Sequence, residues 1–149
     1  MELRIKKETA KRLYPEAQDW FKEILEETFG KECFLKRNFR DIKTFEDACD
    51  ELAISMAINK DSCDETAYKK LKIIVKAINQ GWTPDWNDTN QRKWFPWFKV
   101  SSSGLGFDDA LYSCDDSDAT VGSRLCFESE EKARYAANQF IDLYKQFLI

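Results

Sequence analysis

Six aromatic side chains fall within seventeen residues of this sequence: Trp82, Trp86, Trp94, Phe95, Trp97 and Phe98. Indole and phenyl rings that reach solvent can stack on sugar rings, nucleobases or apolar partner side chains. Trp82, Trp86, Trp94 and Trp97 are therefore the candidate binding residues. The stretch from Trp94 to Val100 is aromatic and β-branched, which predicts a strand. Alternation then sets Trp94, Pro96 and Phe98 on one face and Phe95, Trp97 and Lys99 on the other. A thin sheet backed by helices hides one such face, so the other set is expected to meet solvent or a partner. The alternative left open is that both faces are covered and the rings belong to the core.

A second candidate is basic. Between Lys31 and Lys43, five cations stand against Glu32 and Asp41. Lys36, Arg37, Arg40 and Lys43 would be its phosphate-contacting residues, and a solvated loop is the plainer alternative. The whole chain leans the other way. Its 23 Lys and Arg against 27 Asp and Glu give a net charge of −4, which weighs against a general nucleic-acid or anionic-membrane coat.

The acids Asp108, Asp109, Asp115, Asp116 and Asp118 share a stretch with no cation between Ser101 and Gly122. Asp-x-Asp spacing can gather oxygen ligands for Ca²⁺, but the glycine and closing glutamate of an EF-hand loop are missing. A solvated acidic loop is expected, and no metal is assigned. Paired acids about 5–10 Å apart can also hydrolyse glycosides, but carboxylates are too frequent here to signal it.

Histidine is 0, which excludes Ser-His-Asp and Cys-His pairs, His-ligated metals and an imidazole switch. No two of the five cysteines (33, 49, 63, 114 and 126) are spaced as CxxC, so neither a dithiol redox motif nor a zinc ribbon is present. They are expected as reduced thiols of a cytoplasmic protein. Ser103-Gly104-Leu105-Gly106 lacks the lysine and the following helix of a phosphate cradle. The reading is non-enzymatic, without catalytic residues and without a cofactor.

A chain of 149 residues, 43% hydrophobic and 34% charged, predicts one domain with a packed core. The early charges are followed by no apolar stretch, and no window approaches the roughly 20 apolar residues of a membrane helix. No membrane partner is expected. Residues 1–43 read as a candidate helical N-terminal extension and 44–149 as an α+β body.

A short helix is expected over Lys6 to Leu13. A second is expected to open at Pro15, carry Trp20, Phe21, Ile24 and Leu25 on one face, and stop at Gly30. Thr44 with Asp47 and Ser62 with Glu65 have the spacing of capping boxes. The first leads into Phe45, Ala48, Cys49, Leu52 and Met56. The second leads into a broad apolar face of Ala67, Leu71, Ile74, Val75 and Ile78, ended by Gly81. Strands are expected at Trp94–Val100, Leu105–Tyr112 and Val121–Phe127, joined as an antiparallel meander. Ser129 caps a last helix with Ala133, Ala136, Ala137, Phe140, Leu143, Tyr144 and Phe147 at helical spacing. The expected fold is α+β: helices on a small antiparallel sheet of about three strands, with the C-terminal helix closing the domain.

The sequence also resembles a family. Gly81-Trp82-Thr83-Pro84-Asp85-Trp86, Lys93-Trp94-Phe95-Pro96-Trp97-Phe98, Val121-Gly122-Ser123-Arg124-Leu125-Cys126-Phe127 and a closing helix through Phe140-Ile141-Asp142-Leu143-Tyr144 look like small, uncharacterised proteins of phages, prophages and mobile elements of gut anaerobes. The likeness spans residues 44–149. It implies a genomic setting and supplies no activity. The expected function is protein–protein binding through the aromatic surface, with self-association as its simplest form. The alternatives are glycan binding by the same tryptophans and nucleic-acid binding through the Lys31–Lys43 patch.

Overall fold

The computed structural model describes residues 5–35, 37–55, 62–116 and 123–149. Among these, six helices and one two-stranded sheet follow in the order α1 (Lys7–Leu13), α2 (Asp19–Phe29), α3 (Phe45–Glu51), α4 (Cys63–Asn79), β1 (Lys93–Ser101), β2 (Gly104–Ser113), α5 (Glu130–Gln139) and α6 (Ile141–Leu148). The class is α+β, as the sequence predicts.

The helix starts follow local chemistry. Thr44 Oγ1 accepts from the Asp47 amide at 3.1 Å, while the Asp47 carboxylate accepts from the Thr44 amide at 2.9 Å, closing the expected capping box. The Ser62 amide donates to Glu65 at 3.3 Å, and Ser129 Oγ accepts from the Lys132 amide at 3.3 Å.

Helix α4 is the central element. Ala67, Leu71, Ile74, Val75, Ala77 and Ile78 are all buried, and α3, α5 and α6 pack around it. Each buried Leu or Ile contributes about 1.5–3 kcal/mol. Helix α5 lies on both strands, where its small residues Ala133, Ala136 and Ala137 are buried. Helix α6 uses larger groups: Phe147 stacks on Tyr68 of α4 at 5.2 Å, and Tyr144 meets Phe98 at 4.8 Å. Ile42 is fully buried in this core, and Tyr135 Oη donates to the carbonyls of Arg40 and Ile42. The segment before α3 is thereby docked on α5.

Three expectations are corrected. Among the described residues the sheet has two strands, not three. Residues 121 and 122 of the expected third strand lie outside the described residues, Ser123–Leu125 form a 3₁₀ turn, and only Phe127 reaches the sheet. The reason is Pro96. Trp94 and Phe127 exchange both backbone bonds, at 2.9 and 2.8 Å. The next bonded pair of an antiparallel ladder would need an N–H from residue 96, and proline has none.

The second helix starts at Asp19 and not at Pro15. Pro15 sits in a 3₁₀ turn, and Ala17 and Gln18 are extended. The C-terminal helix is broken at Phe140 (φ −115°, ψ 29°) into α5 and α6. Met56, expected on the third helix, lies outside the described residues.

Candidate functional site

The end of α4 sets the site. Lys72, Val75, Lys76 and Asn79 are spaced to share one helix face. The helix closes with Gln80 and Gly81 at positive φ, 51° and 95°, the left-handed region that suits Gly81. This turns the chain back, and the Trp82 amide donates to the Asn79 carbonyl at 3.0 Å.

The loop that follows is held from within. The Asp85 and Asp88 carboxylates accept from the Asn87 and Asn90 amides, each at 2.9 Å. The base of the loop is held by Lys93, which is 0% exposed. Its Nζ donates to the carbonyls of Asp88 (2.9 Å) and Cys114 (2.6 Å) and lies 5.2 Å from the centre of the Trp86 ring. A cation over an indole is attracted by the ring's negative face.

Asn79 anchors the opposite wall. It is 4% exposed. Its Nδ2 donates to the Cys126 carbonyl at 2.9 Å, and its Oδ1 accepts from the Glu128 amide at 3.2 Å. Together with the Trp94–Phe127 bridge, these bonds hold the segment that carries Arg124 beside α4.

The result is an open cleft of about 460 Å³. Trp82 and Trp86 line it together with Lys72, Lys76 and Arg124, and among the described residues no carboxylate does. Lys72 Nζ lies 4.8 Å from the Tyr68 ring. Among the described residues none of the three cations has an ion-pair partner, and neither Trp82 nor Trp86 stacks on another aromatic ring. In a chain of net charge −4, three cations around one concavity, unpaired among the described residues, favour an anion. Cys126 also lines the cleft. Burial pushes its thiol up to about 11, so at neutral pH it is not a nucleophilic thiolate.

The structure brings Trp82 and Trp86 together and places the other two tryptophans elsewhere. Trp94 tilts against Tyr112 at 4.9 Å beside Arg134 and Glu130. Trp97, 41% exposed, lines a shallow apolar groove with Val100, Leu105 and Leu148. Phe95 and Pro96 are both buried, so strict alternation does not divide the run into a hidden and an open face. A bulge contributes to this: Trp97 faces Asp109 while Phe98 faces Phe107, which leaves Asp108 unpaired in the register.

The described residues of the basic patch make separate contacts. Lys36 lies outside the described residues. Arg40 pairs with Glu131. Arg37 and Lys43 lend carbonyls to Gln80 and Gln139, as docking contacts of the segment. The acids disperse too. Asp108 pairs with Lys99 at 2.8 Å and Asp109 with Arg134 at 2.5 Å, and Asp118 lies outside the described residues. Among the described residues no group of three or more acidic or cysteine side chains is arranged to hold a metal ion. None of the five cysteines is in a disulfide. No helix among the described residues is long and apolar enough to cross a membrane.

Nothing in the sequence alone marks Lys72, Lys76 and Arg124 as one site. The spacing of Lys72, Lys76 and Asn79 is a signal of a shared face, but only the turn at Gln80–Gly81 brings the tryptophans to it. Against known proteins, no family model, no curated protein and no solved structure matches the chain.

Proposed function

We propose that this protein is a non-enzymatic recognition module that binds an anionic, ring-bearing ligand in the cleft of Trp82 and Trp86. The observation that carries this reading is the meeting of two indoles with Lys72, Lys76 and Arg124 around one concavity. Rings supply stacking area and cations supply charge. The absence of histidine from the sequence and the raised thiol of Cys126 support binding over catalysis. The resemblance to small phage and mobile-element proteins adds a setting and no activity.

The test is tryptophan fluorescence during titration with anionic ligands, compared with the Trp82→Ala variant. Saturable quenching that Trp82→Ala weakens at least about tenfold supports the reading. Quenching that is unchanged in the variant sinks it.

A second reading keeps self-association, now through Trp97. Its support is a groove whose described lining has no charged side chain and includes Val100 (68% exposed) and Ile149 (72% exposed). A dimer by light scattering that Trp97→Ala splits without unfolding supports it; a monomer at high concentration removes it.

A further inference from the structure

Resting on the cleft reading above, we infer that the ligand of the Trp82–Trp86 cleft is a nucleoside phosphate, free or as a unit of a single strand. The argument comes from what the lining offers and what it withholds. Sugar rings are recognised by stacking plus hydrogen bonds with their hydroxyls, made by carboxylates that accept and by amides that both accept and donate. Among the described residues no carboxylate lines this cleft. Its amide, Asn79, has one donor on Cys126 and its oxygen on Glu128. What remains is two indoles, the Thr83 hydroxyl and three side chains that only donate and are positively charged. Bases stack on indole in a sequence-tolerant way, and phosphates take Lys and Arg as partners.

The architecture fits a ligand with two unlike ends. Trp82 and Trp86 come from the loop after α4, whereas Lys72 and Lys76 lie one turn apart on α4 and Arg124 stands on a separate turn. Aromatic and cationic groups thus face the same space from different elements. Lys93, behind Trp86, adds a further positive charge close to that wall. The cleft volume of about 460 Å³ lies in the range of small-molecule sites.

The test follows the indole N–H signals of Trp82 and Trp86 by NMR on the whole protein. The probes are a short oligothymidylate, thymidine monophosphate, a heparin oligosaccharide and neutral cellohexaose. The inference expects thymidine monophosphate and the oligonucleotide to move both signals. Binding of the strand should weaken with salt at a log–log slope of about −2, as expected for about three phosphate contacts to a single strand. The double variant Lys72→Glu, Lys76→Glu should bind the strand at least about tenfold more weakly while keeping its other indole signals in place. A strand that binds more tightly than the mononucleotide identifies the polymer as the source; equal affinity identifies the free nucleotide. Shifts by heparin with none by either nucleotide probe overturn the inference and leave the cleft reading standing; shifts by neutral cellohexaose alone overturn both. Silence of both indoles towards all four probes overturns the two together.

Discussion

Lys93 Nζ lies 5.2 Å from the centre of the Trp86 ring while it donates to the carbonyls of Asp88 and Cys114. One buried side chain therefore ties the first residue of β1 to the loop that carries Trp86 and to the end of β2. Replacing Lys93 by Met keeps most of the volume and removes the donors, leaving two carbonyls short of a partner. The expected loss is about 1–3 kcal/mol of stability, with a shift of the Trp86 indole signal. Chemical denaturation together with the NMR spectrum checks it. An unchanged midpoint and an unmoved Trp86 signal would show that the loop holds itself.

Asp47 gives an acid-side prediction. Burial pushes its carboxyl up, but the Thr44 hydroxyl and the amides of Lys43 and Thr44 together pull it below the usual aspartate range. A carboxyl lowered in the folded state stabilises above its unfolded pKa, and that contribution is lost as pH falls through the folded value. Asp47→Ala should lower stability by about 1 kcal/mol at neutral pH, as the loss of a cap does. The gap from the parent protein should close in strong acid. Urea midpoints across pH measure both.

Tyr144 should tolerate the loss of its hydroxyl. The side chain is buried, and among the described residues Oη has no hydrogen-bond partner. Burial alone raises its pKa. Tyr144→Phe removes an unsatisfied polar atom and leaves the contact with Phe98. Stability should stay level or rise by about 1 kcal/mol. A clear fall in melting temperature would mean that the hydroxyl has a partner after all, such as a bound water.

The cysteines should label in a fixed order. Cys63 is exposed, while Cys126 is buried with its thiol raised to about 11 by that burial. Its thiolate fraction near pH 8 is about a hundredfold below that of an ordinary thiol. Native alkylation should reach Cys63 first and Cys126 last, as read by mass spectrometry. The same shift makes folding pH-dependent on the alkaline side. The unfolded thiol ionises near its ordinary 9.0 and the folded one near 11, so the contribution is intact below 9 and is lost as pH rises between the two. Equal labelling of Cys63 and Cys126 in the native protein refutes both parts.

Local signals carried the fold a long way. The Thr44–Asp47 box, the Ser129 cap and the apolar spacing of α4 depend on residues three or four apart, and each stands where periodicity places it. The misplaced elements depend on partners far along the chain. Phe127 looks like strand on its own side chains, but whether it extends a sheet is decided by the missing N–H of Pro96, about thirty residues earlier in the sequence. The site shows the same division. Trp82 and Trp86 were visible as residues able to stack. Lys72 and Lys76 carry no signal of a site by themselves, because only the left-handed turn at Gln80 and Gly81 folds the loop over them.

Pro96 has a consequence beyond the single molecule. An uncovered strand rim is a template on which a second chain can add and, repeated, grow into a fibre. On β1 the bonding slot at Trp94 is filled by Phe127, and the following slot has no donor. An incoming strand would thus meet an interruption near the middle of that rim. The residue that keeps the hairpin from acquiring a third strand of its own also makes it a poor seed for foreign ones.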